Sequence, residues 1–224
     1  MFILLCARRL SRRILTKGVF AVDSKSQNRI ISIEGGWAAG KTSILREIEM
    51  HGHTVFSSVV PEIYKARGEN YSPRDDAKSF TELFLRLKEE QMLAISDPNN
   101  SDTIFFDRVC FAPIVLRRFL GLPIPGEFFE VARRIQIAGP VFLVEQLPLE
   151  AHKNGWPRKH FSYQEALRYQ EITEDVIRQL GFDIYKVKYS PSIELRAQDI
   201  LTRLEETLKG DDRREGDETT GSQD

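Results

Sequence analysis

The chain has 224 residues, with 32 lysines and arginines against 33 aspartates and glutamates, for a formal net charge of -1. With 41% hydrophobic residues it can bury a core as one domain, and its even charge balance argues against general nucleic-acid affinity. No apolar run has the length of a membrane-spanning helix, and Cys6 and Cys110 form neither a metal spacing nor a disulfide framework, which suits a reducing compartment such as the cytoplasm.

Residues 1–27 read as a basic N-terminal extension. The first 22 contain no acid and interleave Arg8, Arg9, Arg12, Arg13 and Lys17 with Leu10, Ile14 and Leu15. That composition resembles an amphipathic transit peptide, which implies a mitochondrial destination; a basic disordered tail is the alternative.

The domain itself is expected over residues 28–208. Arg29 to Ile33 is short and β-branched, like a strand. Gly35-Gly36-Trp37-Ala38-Ala39-Gly40-Lys41-Thr42 then fits the phosphate-loop pattern G-x-x-x-x-G-K-[ST] without a mismatch. Small residues let backbone N–H groups turn inward around a polyphosphate, Lys41 adds a fixed cation, and Thr42 offers a hydroxyl to Mg²⁺. Ser43 opens a segment in which Ile44, Leu45 and Ile48 lie at helical spacing, so a helix N-terminus faces the phosphates.

Thr54 to Val60 reads as the second strand, running into Pro61-Glu62. A helix is expected from Ala77 to Ile95. Thr103-Ile104-Phe105-Phe106-Asp107 is an apolar run ending in an acid, the pattern of a strand buried on both faces. Val141 to Val144 is a fourth such strand. Ser162-Tyr163-Gln164-Glu165 forms a capping box that opens a helix closed by Gly181. Phe182 to Val187 is the fifth strand, and Leu195, Ile200 or Leu201, Leu204 and Leu208 mark the last helix. Residues 209–224 read as a disordered charged tail.

Strands alternating with helices indicate an α/β, three-layer domain with a parallel sheet covered on both faces. Ligands of such sheets bind at the carboxyl ends of the strands, where the loop, Glu62, Asp107 and Glu145 fall. Asp107 is the expected Mg²⁺ partner of Thr42, with Arg108 beside it to meet a phosphate or substrate. Glu62 is the candidate to orient or deprotonate an acceptor hydroxyl. The basic segment 152–160 lies where a lid would bring Arg158 to the transferring phosphate. Tyr189-Ser190-Pro191-Ser192 forms a candidate wall for a purine.

Together these residues resemble the P-loop kinase-like branch of AAA-type ATPase domains, which includes the NadR-type ribosylnicotinamide kinase domains. The resemblance rests on Ile33 through Thr42, Val60-Pro61-Glu62, Phe106-Asp107-Arg108, Phe142 to Glu145, Arg158, Leu180 to Val187, and Glu194 to Ala197. Deoxynucleoside and thymidylate kinases are similar, with an Ile-Glu-Gly lead into the loop and an acid–Arg pair after the third strand. The resemblance implies a five-stranded parallel sheet in order 2-3-1-4-5, a P-loop NTPase fold, and ATP or GTP with Mg²⁺. The chain departs from it at Trp37 and Ala38, where proline and glycine commonly stand.

The leading expectation is a Mg²⁺-dependent phosphotransferase acting on a nucleoside, nucleotide or similar small hydroxyl acceptor. Lys41 and the amides of Gly35 to Ser43 would hold the nucleotide. Thr42 and Asp107 would organise the metal, Glu62 the acceptor, and Arg108 and Arg158 the developing charge. A homodimer is compatible with this reading. The alternative is a nucleotide-binding protein with a regulatory or protein- or lipid-binding role and slow hydrolysis.

Overall fold

In β3 (Thr103–Asp107), successive side chains go to opposite faces, and both faces are buried. Ile104 and Phe106 join one apolar cluster and Phe105 the other. β4 (Val141–Val144) divides in the same way: Val141 and Leu143 lie on one side, Phe142 and Val144 on the other. Such strands need a helical layer on each face. The computed structural model describes residues 29–68, 71–94, 102–152 and 161–218, and those layers are present in it.

One layer holds α1 (Lys41–Met50) and α8 (Ile193–Glu218). It packs Ile44, Leu45, Ile48, Ala197, Ile200 and Leu204 against Ile31 and Ile33 of β1 (Arg29–Gly35). The other layer holds α3 (Ala77–Ala94), α4 (Phe111–Phe119), α5 (Gly126–Arg134) and α7 (Tyr163–Gln179), with Phe84, Phe111, Phe128 and Val176 in its core. β2 (Thr54–Phe56) and β5 (Ile184–Val187) flank the sheet, whose order is β2-β3-β1-β4-β5 with every pair parallel. Short helices α2 (Val60–Arg67) and α6 (Leu149–His152) complete the chain order. The five-stranded order and the three-layer α/β architecture agree with the sequence expectation.

The register sets the site. Ile33 lies beside Asp107 and Gly35 beside Val144, so the turns leaving β1, β3 and β4 share the carboxyl edge. The capping box of α7 forms as expected. The Glu165 amide donates to Ser162 Oγ at 3.3 Å, and the Ser162 amide donates to Glu165 Oε2 at 2.7 Å.

Three expectations change. β2 ends at Phe56 rather than Val60, because the chain has already turned into α2 by then. The Val60 amide donates to Ser58 Oγ at 3.3 Å, and Pro61 occupies the helix start, where its missing N–H leaves no bond unmade. Leu195 points outward, at 64% exposure; the buried face of α8 is Arg196, Ala197, Ile200 and Leu204 instead. α8 also continues past Lys209 to Glu218, through a charged stretch that contains no proline to stop it. Residues 1–27, which carry the transit-peptide expectation, lie outside the described residues, as does Arg158.

Candidate functional site

The phosphate loop leaves β1 at Gly35 and enters α1 at Lys41. Gly40 has φ 88°, and a Cβ there would stand 3.1 Å from the Arg196 guanidinium. Gly35 has φ 146°, and a Cβ there would approach the Val144 carbonyl to 2.6 Å. Gly35 is required by space as well as by backbone geometry, and Gly40 by its left-handed backbone. Ala38 takes φ 56°, a left-handed conformation inside the loop that is uncommon away from glycine.

Lys41 is buried and donates through Nζ to the carbonyls of Gly36 at 2.6 Å and Gly35 at 3.3 Å. Burial, and then the neighbouring Arg108, push its ammonium down to a pKa of about 7. Around it the buried cations Arg108, Arg196 and Lys88 outnumber the carboxylates Glu34 and Asp107. The excess of positive charge in a dry pocket favours an anion.

Asp107, at the end of β3, accepts the Thr42 hydroxyl on Oδ2 at 3.3 Å. Its Oδ1 is buried without a hydrogen-bond partner. An orphaned carboxylate oxygen beside a threonine hydroxyl is the donor set Mg²⁺ takes when phosphate oxygens and water fill the remaining positions, so Thr42 and Asp107 fit that ion. No cluster of three or more His, Cys, Asp or Glu side chains able to hold a metal by themselves occurs among the described residues.

Arg108 has φ 62° and is 9% exposed. Its amide donates to the Ile33 carbonyl at 3.1 Å, and its Nη2 donates to the Gly35 carbonyl at 3.1 Å. Its Nε has no partner, and the guanidinium stands 5.8 Å from the centre of the Tyr169 ring. A non-glycine residue held in the left-handed region is strained, and here the strain points a buried cation at the loop.

Three charged residues at the site were not among the sequence candidates. Glu34, the last acid before the loop, accepts the Val109 amide at 2.9 Å and the Ser32 hydroxyl at 3.1 Å. Burial raises its pKa, while Arg108 and Lys41 oppose the rise. Lys88 of α3 donates to the Asp107 carbonyl at 2.9 Å and is fully buried. Arg196 of α8 donates through Nη2 to the carbonyls of Ala39 at 3.1 Å and Glu145 at 3.3 Å. Lys88 lies one helical turn beyond Phe84 on the face that packs inward, and Arg196 lies one turn before Ile200. A charged residue at a core position of an amphipathic helix was the signal that could have found both.

Trp37 lines the cavity and packs into an aromatic cluster. Its ring is stacked on Phe161 at 3.6 Å between centroids, with Tyr169 at 3.9 Å and Phe119 edge-on at 5.2 Å. Gln146 Nε2 donates to its carbonyl at 2.9 Å.

A cavity of about 470 Å³ opens from the loop. Trp37 through Ser43, Asp107 and Arg108 line it, together with apolar side chains of α2, α3 and α4. Glu62 does not. It stands exposed in the first turn of α2, while Pro61 and Tyr64 on either side reach the cavity wall. An acid at that position complements the helix N-terminus, and Asp107 is the one carboxylate on the described lining. Tyr189 to Ser192 are also absent from the lining; the Tyr189 amide is tied to Glu145 Oε2 at 2.9 Å.

A parallel five-stranded sheet with a phosphate loop between β1 and α1, and an acid–arginine pair after β3, defines a P-loop kinase-like NTPase domain. The chain belongs to the AAA domain family, whose pattern matches residues 30–196. The fold is similar to that of NadR in complex with NR, with a TM-score of 0.62 and 12% identity over 80% of this chain and 51% of that one. The chain therefore spans about half the length of NadR. Deoxyadenosine kinase from M. mycoides with bound dATP gives a TM-score of 0.58 at 15% identity, over 80% of this chain and 100% of that one. Thymidylate kinase from Ehrlichia chaffeensis gives 0.53 at 12% identity, over 80% and 99%. A comparison with curated proteins gives no match. No helix among the described residues is long and apolar enough to cross a membrane.

Proposed function

We propose that the protein binds a nucleoside triphosphate at the loop and transfers its γ-phosphate to the hydroxyl of a small acceptor held in the adjoining cavity. The observation that carries this reading is the continuity of the cavity: Lys41, Thr42 and Asp107 share one open cleft with apolar walls from α2, α3 and α4. A site built only for hydrolysis has no need of such a compartment. NadR, deoxyadenosine kinase and thymidylate kinase lend the reading support by their shared fold.

The loop amides and Lys41 would hold the β- and γ-phosphates. Thr42 and Asp107 would hold Mg²⁺, which when bound neutralises phosphate charge. Arg108, already aimed at the Gly35 carbonyl, would exchange that bond for a phosphoryl oxygen as charge develops there. The acceptor oxygen forms the new bond to phosphorus as the bridging bond to the β-phosphate breaks. ADP leaves with the bonding pair, and the hydroxyl proton passes to solvent. Positioning and electrostatics carry most of such a reaction, so an exposed Glu62 is no obstacle to it. Arg158 retains its proposed role as a cation delivered to the γ-phosphate.

Formation of ADP in the presence and absence of acceptors tests this reading. An acceptor that raises turnover at least tenfold over the rate in water supports transfer. Equal turnover with a broad panel of nucleosides, nucleotides, vitamins and alcohols would leave a slow NTPase with a regulatory role.

A further inference from the structure

Arg196 is a buried cation that the phosphoryl transfer described above does not use. Its Nη2 donates to the carbonyls of Ala39 at 3.1 Å and Glu145 at 3.3 Å. Its Nη1 lies 3.1 Å from where a Gly40 Cβ would stand, so the guanidinium packs flush against the loop. Glu145, just after β4, is itself anchored, because its Oε2 accepts the Tyr189 amide at 2.9 Å. One side chain of α8 thus ties the phosphate loop to the carboxyl end of β4. The Arg196 Nε has no partner among the described residues, and burial lowers the pKa of the group, with Tyr189 and Glu145 opposing. A desolvated cation held by two carbonyls adds little to stability, so its place under the loop calls for another explanation.

The peptide between Ala39 and Gly40 supplies it. Across a planar trans peptide the C=O and the N–H point to opposite sides. With the Ala39 carbonyl held against α8, the Gly40 N–H faces the cavity, whose lining includes Ala39, Gly40 and Lys41. Sterics do not fix this orientation. Turning the peptide over changes ψ of Ala39 and φ of Gly40, and glycine accepts either sign of φ; the observed 88° is one of two open choices. Turned over, the same peptide presents its carbonyl oxygen to the phosphates, and a donor becomes a repelling dipole.

Building on the reading that the loop holds a polyphosphate, we propose that Arg196 is a positioning residue that locks the Ala39–Gly40 peptide with its N–H toward the phosphates. It acts through the backbone and makes no contact with the ligand. The lock is independent of nucleobase and of acceptor: any chain of phosphates seated in the loop gains the Gly40 amide as a donor. The second bond, to the Glu145 carbonyl, holds the guanidinium itself in register with the sheet.

The test uses the full chain, wild type and Arg196→Met, with folding followed by circular dichroism. Calorimetry measures the Kd of ATP and of inorganic tripolyphosphate, each with Mg²⁺, and NMR of ¹⁵N-labelled protein follows the Gly40 amide. In wild type, tripolyphosphate should move the Gly40 amide proton downfield, as a new charge-assisted hydrogen bond does. Arg196→Met should weaken ATP and tripolyphosphate alike, by about tenfold or more, and abolish that shift. A loss confined to ATP would put Arg196 on the base or ribose and overturn the inference. Unchanged affinities in a folded variant overturn it too, as does weaker binding with the Gly40 shift retained, which would mean that the arginine acts by charge alone. The wild-type shift does not depend on the variant's folding, and its absence with tripolyphosphate bound overturns the inference while nucleotide binding stands. Wild-type protein that binds neither ligand removes the nucleotide reading and this inference with it, whereas binding without transfer to any acceptor removes only phosphotransfer.

Discussion

Lys88 Nζ donates to the backbone carbonyl of Asp107 at 2.9 Å, and the lysine side chain is wholly buried. The bond joins α3 to the last residue of β3, whose carboxylate takes the Thr42 hydroxyl. Burial pushes the Lys88 ammonium down to a pKa of about 8, while Asp107 opposes the fall. The lysine therefore stabilises the fold little for its size, and its effect is to fix the strand end.

Replacing Lys88 with methionine separates those two effects. Methionine keeps the apolar stem and removes a desolvated cation, so the free energy of unfolding should stay within about 1 kcal/mol of wild type in a denaturant titration. Amide exchange at the end of β3 should quicken and turnover should fall at least tenfold. Lys88→Arg should restore neither, because the planar guanidinium does not fit the lysine's slot.

Asp107 should control divalent-ion dependence. Its Oδ1 has no partner, so Asp107→Asn breaks no bond there and should leave the melting temperature nearly unchanged. The Mg²⁺ concentration for half-maximal turnover should rise at least tenfold, with Thr42→Ala moving it in the same direction. A metal titration of each variant reads both.

Trp37 should matter to the acceptor more than to the nucleotide. Its indole packs on Phe161, Tyr169 and Phe119, so Trp37→Ala should cost about 2–4 kcal/mol in unfolding free energy. The lost wall should raise acceptor KM severalfold, while the loop amides keep nucleotide Kd within about threefold. Steady-state kinetics at fixed, saturating ATP checks the split.

Nucleotide affinity should depend on the protonation of Lys41. Its ammonium is lowered to about 7 by burial, then by Arg108 and Arg196, with Asp107 and Glu34 opposing. The unfolded chain keeps that lysine protonated up to its ordinary pKa of about 10.4, so between these values the unfolded state holds the extra proton. The lysine's unfavourable contribution to stability is therefore full below about pH 7 and fades as pH rises toward the unfolded value. Binding of a polyphosphate beside it should re-protonate the lysine. Calorimetry at pH 8 in buffers of different ionisation enthalpy should show uptake of about one proton per nucleotide, and affinity should weaken as pH rises through that range.

What could be read in the sequence was what is local. The loop pattern, the two-faced strands and the capping box at Ser162 and Glu165 each declare themselves within a few residues, and the structure forms each of them. Strand order 2-3-1-4-5 followed from the family resemblance and is present. The misplacement of Glu62 came from extending β2 through Ser57 to Val60: β-branched residues suit a strand, but Pro61 and the Ser58 hydroxyl begin a helix there. Lys88 and Arg196 showed in the sequence only as charges at core positions of amphipathic helices, and Glu34 carried no such signal. Their roles depend on which face of a helix or strand meets the loop, and that is decided by packing among elements far apart in the chain.

The most direct measurement is the fate of the γ-phosphate in wild type and Lys41→Met side by side, with folding of both followed by circular dichroism. The account predicts label on an organic acceptor with wild type and a loss of roughly 10²–10³-fold in Lys41→Met at unchanged secondary structure. Label found only in inorganic phosphate, or equal transfer by the two proteins, would contradict it.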